Sequence, residues 1–241
     1  MKKILLIILC LMPSISQAEA IKVESSGVYT GPLHTNPSPV VIELFSSENC
    51  PACPPADAYL GELAKSDGLI AISCHVDYFG KGQGNLGKSI CTDRQTRYIE
   101  QMGRKSHFTP QMMINGHMSE IGYEQANVAA AVTKARSERV EKISIEAKAK
   151  NVFSFSVPQM SVNGDVEIWV AVFQQPKTLS QRGRNVTYSN VLKDYQSLGV
   201  WHGEKLTNVI TPKLNNESAG FAVVAQEVQS GKIIAAGQHR I

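Results

Sequence analysis

The chain has 241 residues, 43% of them apolar, and a formal charge of only +3. That length allows one large domain or two small ones, each with enough apolar material for a core. The near-neutral balance leaves no electrostatic footprint for nucleic acid, and it falls to +1 if Lys2 and Lys3 are lost with a leader.

Residues 1–18 read as a secretory signal. Lys2-Lys3 form the charged region, Ile4 to Met12 the apolar core, and Ser16-Gln17-Ala18 a small-residue cleavage site. The apolar run is shorter than the roughly 20 residues a bilayer span needs. Lipid attachment at Cys10 is the rival, but the bulky Leu9 before it fits lipoprotein processing poorly. The expected product is a periplasmic or secreted chain with no membrane insertion after cleavage. Residues 19–39, rich in Ser, Gly and Pro, read as a tether.

From residue 40 the pattern alternates strand and helix. Val40 to Ser46 is a strand, Pro55 to Ala64 a helix, and Leu69 to Val76 a nearly all-apolar strand suited to burial on both faces. Residues 77–92 form a glycine-rich loop. Asp93 to Met102 is a helix that Asp93 would cap. Gln111 to Ile114 is a strand, Asn115-Gly116 a strong hairpin turn, and His117 to Ile121 the returning strand. Glu124 to Arg136 is an alanine-rich helix. This order is that of a thioredoxin-like domain over 40–139, its first two strands parallel through a crossover.

Beyond residue 140 the character changes. Ile143, Ile145, Ala147 and Ala149 alternate with polar residues. Val152 to Val157, Val166 to Gln174, Phe221 to Val228 and Lys232 to Gln238 also read as strands. The expectation is an α/β thioredoxin-like N-terminal domain followed by a β-rich C-terminal domain over 140–241, an antiparallel sheet or sandwich.

The chemistry centres on Cys50-Pro51-Ala52-Cys53, where the first strand turns into a helix. Two thiols at this spacing can exchange a disulfide between themselves, and the partial positive charge of a helix N-terminus favours a thiolate on Cys50. Cys50 is the expected attacking thiol and Cys53 the resolving one. Glu48 opposes a thiolate, and Pro54 and Pro55 remove two backbone donors, so only a modest activation is expected. Structural zinc usually takes two such cysteine pairs, and one is present.

Pro110, just before the third strand, is the expected cis-proline set against the cysteines. Glu43, a carboxylate inside an apolar strand, either relays the proton of Cys53 or pairs with an arginine such as Arg94 or Arg97. Cys74 and Cys91 flank the glycine-rich loop, where a structural disulfide would staple it; free thiols or a second exchange pair are the alternatives. His75 or His107 could complete a copper or zinc site with Cys50 and Cys53, although a lone histidine at a strand end is more often structural.

Glu43-Leu44-Phe45-Ser46-Ser47-Glu48-Asn49-Cys50-Pro51-Ala52-Cys53-Pro54-Pro55-Ala56-Asp57 resembles the opening motif of a secreted bacterial family, domain of unknown function 1223. His75-Val76-Asp77-Tyr78, Arg94-Gln95 with Tyr98, and Thr109-Pro110-Gln111-Met112 with Asn115-Gly116 resemble its later motifs. Arg182-Gly183-Arg184-Asn185 and Thr187-Tyr188-Ser189-Asn190-Val191 are similar to its C-terminal ones. The resemblance implies a thioredoxin-like fold and export, and no assigned substrate. Cys74 and Cys91 stand outside its motifs, which favours a disulfide between them.

Three functions are therefore expected to compete. The first is thiol–disulfide exchange by Cys50 and Cys53 with a protein or small-thiol partner, needing no cofactor. The second is copper or zinc binding and delivery. The third is a binding module in which the Cys50–Cys53 disulfide is static and Arg182, Arg184, Tyr188 and Asn190 form the surface.

Overall fold

The computed structural model describes residues 38–241 apart from Gln83 and Arg182. The secretory signal expected over 1–18 and nearly all of the tether expected over 19–39 lie outside the described residues. The described residues from Ser38 onward fall within one compact unit. They form fourteen strands and three helices, arranged in mixed and antiparallel sheets.

The first sheet has four strands in the order β2-β1-β3-β4. β1 (Val40–Ser46) runs parallel to β2 (Leu69–His75) and antiparallel to β3 (Gln111–Ile114), which pairs with β4 (Met118–Ile121). The helices are α1 (Pro54–Leu63), α2 (Ser89–Gln101) and α3 (Gln125–Arg136). Asn115 and Gly116 both take positive φ, 46° and 72°, in the predicted hairpin turn, and the returning strand begins at Met118 rather than His117.

The two-residue period of a strand splits β1 between two layers. Val40, Ile42 and Leu44 pack with Ala56 and Leu60 of α1 and Val128 and Val132 of α3. Val41 and Phe45 point the other way, into a cluster with Tyr98 of α2. That cluster extends past residue 140 to Trp169, Ala171 and Phe173, and to Ala222 and Val224.

These last residues belong to a five-stranded sheet, β11-β8-β13-β14-β5. Its members are β5 (Glu141–Lys142), β8 (Val166–Gln174), β11 (Leu192–Trp201), β13 (Ser218–Glu227) and β14 (Ile233–Arg240). All of its pairs are antiparallel except β14 with β5. Its opposite face, with Ile168, Val170, Phe221 and Val223, packs on Phe153, Phe155 and Val157. Those lie on β7 (Val152–Val157), the middle of a three-stranded sheet with β6 (Ser144–Ala149) and β12 (Leu206–Ile210). A separate hairpin joins β9 (Lys177–Gln181) to β10 (Arg184–Tyr188).

Two local expectations differ from the structure. α2 begins at Ser89 rather than Asp93, and Asp93 does not cap it; the residue at that boundary is the extended Lys88. Lys88 N–H donates to the carbonyl of His75 at 2.9 Å, and Cys91 in the first turn is joined by a disulfide to Cys74 of β2. These ties to β2 start the helix one turn earlier than its polar sequence suggests. The second difference is that residues 177–210 hold four strands where none was assigned. β9 and β10 are short and largely exposed, and bulges after Leu192 and Ser197 break the alternation of β11.

Candidate functional site

The cysteine turn is built by the end of β1. Cys50 N–H donates to the carbonyl of Ser47 at 3.1 Å, and Cys53 N–H to that of Cys50 at 3.3 Å. Cys53 stands at the N-cap of α1, with Pro54 and Pro55 following. Prolines fit there because the first helical N–H groups have no intrahelical acceptor anyway. Cys50 and Cys53 form a disulfide with their Cα atoms 5.4 Å apart. Pro51 and Ala52 are exposed, whereas Cys50 is 4% accessible and Cys53 fully buried.

The Thr109–Pro110 peptide is cis. The carbonyl oxygen of Thr109 lies 3.8 Å from Cys50 Sγ. The strand order causes this meeting: β3 is paired to β1, so the residues entering β3 sit beside the turn leaving β1.

One helical turn beyond Cys53 lies a buried polar cluster, tied to it by the bond from Asp57 N–H to the Cys53 carbonyl. Asp57 follows Cys53 by one helical turn, and that spacing puts both side chains on one face of α1. Asp57 Oδ2 accepts a 2.9 Å hydrogen bond from Ser46 Oγ, while Oδ1 has no hydrogen-bond partner among the described residues and stands 3.9 Å from His75 Nε2. Both ring nitrogens of His75 and the hydroxyl of Tyr188 are likewise buried without partners. The Tyr188 ring meets that of His75 edge-on at 5.1 Å. Burial raises the Asp57 carboxyl to about 8, only partly offset by the Ser46 bond, and lowers His75 to about 3. Burial also raises the Tyr188 phenol, reinforced by Asp57 and Glu48. Near neutral pH the cluster therefore holds a protonated acid beside a neutral imidazole.

Glu43 occupies the other face of β1. Arg94 of α2 donates to both of its oxygens, at 2.8 and 2.7 Å, and the Tyr98 hydroxyl donates to Oε2. Arg94 also stacks 4.3 Å over Trp169 and bonds to Gln226. Of the two expectations for Glu43, the structure places it in the ion pair, with Arg94 rather than Arg97, which pairs with Glu167 instead. The carboxylate on the cysteine side is Asp57. Sequence reasoning passed over it, and its signal was the four-residue step from Cys53.

Glu48, expected to oppose a thiolate, receives the backbone N–H groups of Gly84 and Leu86 and so pins the glycine-rich loop. The Cys74–Cys91 disulfide staples the same loop from its far side. His107 sits next to Thr96, 2.8 Å from its hydroxyl, and near Tyr78. Among the described residues no three His, Cys, Asp or Glu side chains converge to hold a metal ion.

The residues considered for a binding surface separate in space. Tyr188 and Asn190 are 1% and 3% accessible and serve as anchors rather than surface. Asn190 donates to the carbonyl of Ala71, and its own carbonyl accepts from Ser73 N–H, which fastens the end of β10 to the edge of β2. Arg184 is exposed and, with Gln181 and Val186, faces Cys50, Pro51 and Pro54 across a cleft of ≈ 260 Å³. Arg182 lies outside the described residues. A more open cleft of ≈ 620 Å³, lined by Arg97, Glu100, Gln101 and Glu167 among others, contains no cysteine or histidine.

Residues 41–226 match the family described as "Protein of unknown function (DUF1223)". The chain belongs to the DUF1223 family. As a DUF1223 member it is similar to a protein of Agrobacterium tumefaciens, AGR_C_4864, solved by X-ray crystallography. The two superpose with a TM-score of 0.71 at 25% identity, over 84% of this chain and 94% of the other. HBP35 of Porphyromonas gingivalis superposes with a TM-score of 0.62 at 12% identity, over 86% of this chain and 76% of that one. The second likeness is one of fold alone. No curated protein matches this DUF1223 chain.

Proposed function

We propose that this DUF1223 protein is an exported thiol–disulfide oxidoreductase whose residues 40–139 form a thioredoxin-like unit. The observation that carries the reading is the Cys50–Cys53 disulfide at the strand-to-helix turn, with Asp57 buried one turn beyond Cys53. The secretory signal pattern and two disulfides support export. Among the described residues no helix is long and apolar enough to cross a membrane.

An incoming thiolate attacks Cys50 Sγ, the cysteine that faces the cleft. The Cys50–Cys53 bond breaks, and Cys53 leaves as a buried thiolate. A charge there is costly, and the protonated Asp57 neutralises it by giving up its proton. In the opposite direction Asp57, once ionised, takes the proton of Cys53 as Cys53 attacks the mixed disulfide.

Equilibration of the full chain in graded dithiothreitol buffers, with alkylation and mass spectrometry, tests the reading. Cys50–Cys53 opens and recloses reversibly while Cys74–Cys91, fully buried at both ends, persists. A second reading, a binding module with a static disulfide, draws support from the low exposure of both sulfurs. It prevails if the pair stays closed in every buffer.

A further inference from the structure

The β9–β10 hairpin makes one wall of the cleft at Cys50, and that wall is fixed. Val186 packs with Leu86, Leu179, Tyr188 and Val191, and Tyr188 and Asn190 clamp its base as described above. The hairpin also packs along α1, where a second cleft of ≈ 500 Å³ shares Pro54 and Val186 with the first. A wall held in one shape lowers the ordering cost of binding against it.

Its chemistry is cationic. The Arg184 guanidinium makes no ion pair or hydrogen bond among the described residues, although the residue borders the cysteine cleft. Among the described residues no carboxylate lines the cleft to neutralise it. An unpaired guanidinium beside a reactive sulfur favours an anionic reactant, and its planar fork matches a carboxylate.

Size narrows the class. The first cleft is smaller than the roughly 300–1,000 Å³ typical of drug-sized ligand sites, and Cys50 is only 4% accessible within it. A folded protein surface reaches such a sulfur poorly. A small thiol enters, and its remainder extends along the α1–β10 seam.

We infer that this cleft takes a small carboxylate-bearing thiol, or its disulfide, as the redox partner of Cys50, with Arg184 binding the carboxylate. The inference rests on the redox reading above. The thiolate RS⁻ attacks Cys50 Sγ, giving a Cys50–S–S–R mixed disulfide, while Cys53 leaves and takes the Asp57 proton. A second RS⁻ attacks the R sulfur, forming RSSR and releasing Cys50 as a thiolate. Two RSH are oxidised to RSSR as the protein disulfide is reduced to the dithiol; the protons released by RSH go to Cys50 and, through solvent, back to Asp57. Supplied with RSSR, the sequence runs in reverse.

The test measures second-order rates of Cys50–Cys53 reduction in the full chain. Glutathione, the cationic thiol cysteamine and neutral dithiothreitol are compared at equal thiolate concentration, for the unchanged protein and Arg184→Gln. Glutathione outpaces cysteamine by roughly five- to tenfold, the size expected of one partly exposed charge-assisted contact. Arg184→Gln removes most of that advantage and leaves dithiothreitol within about twofold. Equal rates for glutathione and cysteamine overturn the inference, as does an equal loss for all three thiols in Arg184→Gln. Faster reduction by an uncharged cysteine-containing peptide than by glutathione also overturns it and makes the partner a polypeptide. Failure of dithiothreitol itself brings down the redox reading first, so the two failures are distinguishable.

Discussion

Asp57 Oδ1 stands 3.9 Å from His75 Nε2, and both side chains are sealed from solvent. Neither ring nitrogen of His75 has a hydrogen-bond partner among the described residues. Two titratable groups held in their neutral forms make the stability of the fold depend on pH in a specific way.

The first prediction follows from which state holds the proton. Between 3.8 and 6.5 the folded chain keeps the Asp57 proton that the unfolded chain has lost, and lacks the His75 proton that the unfolded chain has gained. The two contributions cancel. Between 6.5 and about 8 only Asp57 counts, the folded state binds more protons, and stability falls as pH rises. The slope approaches about 1.4 kcal/mol per pH unit. Asp57→Asn flattens that decline, and urea unfolding at several pH values across the window measures it. A decline that survives in Asp57→Asn contradicts the assignment.

Asp57→Asn also acts on the chemistry. The variant cannot protonate the departing Cys53, so dithiothreitol reduction slows by about 10²-fold or more, the usual worth of a positioned acid. Stopped-flow reduction near neutral pH reads this directly. Unchanged rates with a flattened stability profile would leave Asp57 a structural role alone.

A third prediction concerns the two thiols. Cys53→Ser accumulates a mixed disulfide on Cys50, because the sulfur that would release the partner is gone. Cys50→Ser accumulates none, since Cys53 is fully buried and does not line the cleft. Mass spectrometry after exposure to an oxidised small thiol separates the two, and adducts on Cys53 alone would reverse the roles.

Glu43 gives a fourth. Glu43→Gln strips the buried Arg94 of its charge partner, at a cost of about 3–5 kcal/mol, while the reduction rate of Cys50–Cys53 in the folded variant stays within about twofold. Loss of rate without loss of stability would return Glu43 to proton transfer.

The fifth concerns the loop. Cys74 and Cys91 are 17 residues apart, so replacing both with Ala costs about 3 kcal/mol by the loop-closure estimate. A denaturant titration measures it. An unchanged midpoint would mean that Glu48 and its two amide contacts hold the loop unaided.

The alternation of apolar and polar residues made β1, α1, β2, β3, the Asn115-Gly116 turn and α3 legible, because each pattern is set by burial on one or two faces of a local element. The cysteine turn was legible for the same reason: a short motif carries its own strand-to-helix context. β9 to β12 were not, since an exposed hairpin and a bulged strand take their shape from neighbours rather than from an internal period.

The sequence by itself determined the position of the Cys50–Cys53 pair, the family, and the presence of a carboxylate inside β1. Only the tertiary structure decided which carboxylate is paired with an arginine and which lies one helical turn from Cys53. Successive strand residues point to opposite faces, so Glu43 was turned toward Arg94, while one turn of α1 set Asp57 on the Cys53 side. It also decided that Tyr188 and Asn190 are anchors and that Arg184 borders Cys50. Those residues lie more than 130 positions beyond Cys50, and their meeting depends on Asn190 joining the edge of β2, a long-range backbone pairing that local sequence patterns do not encode.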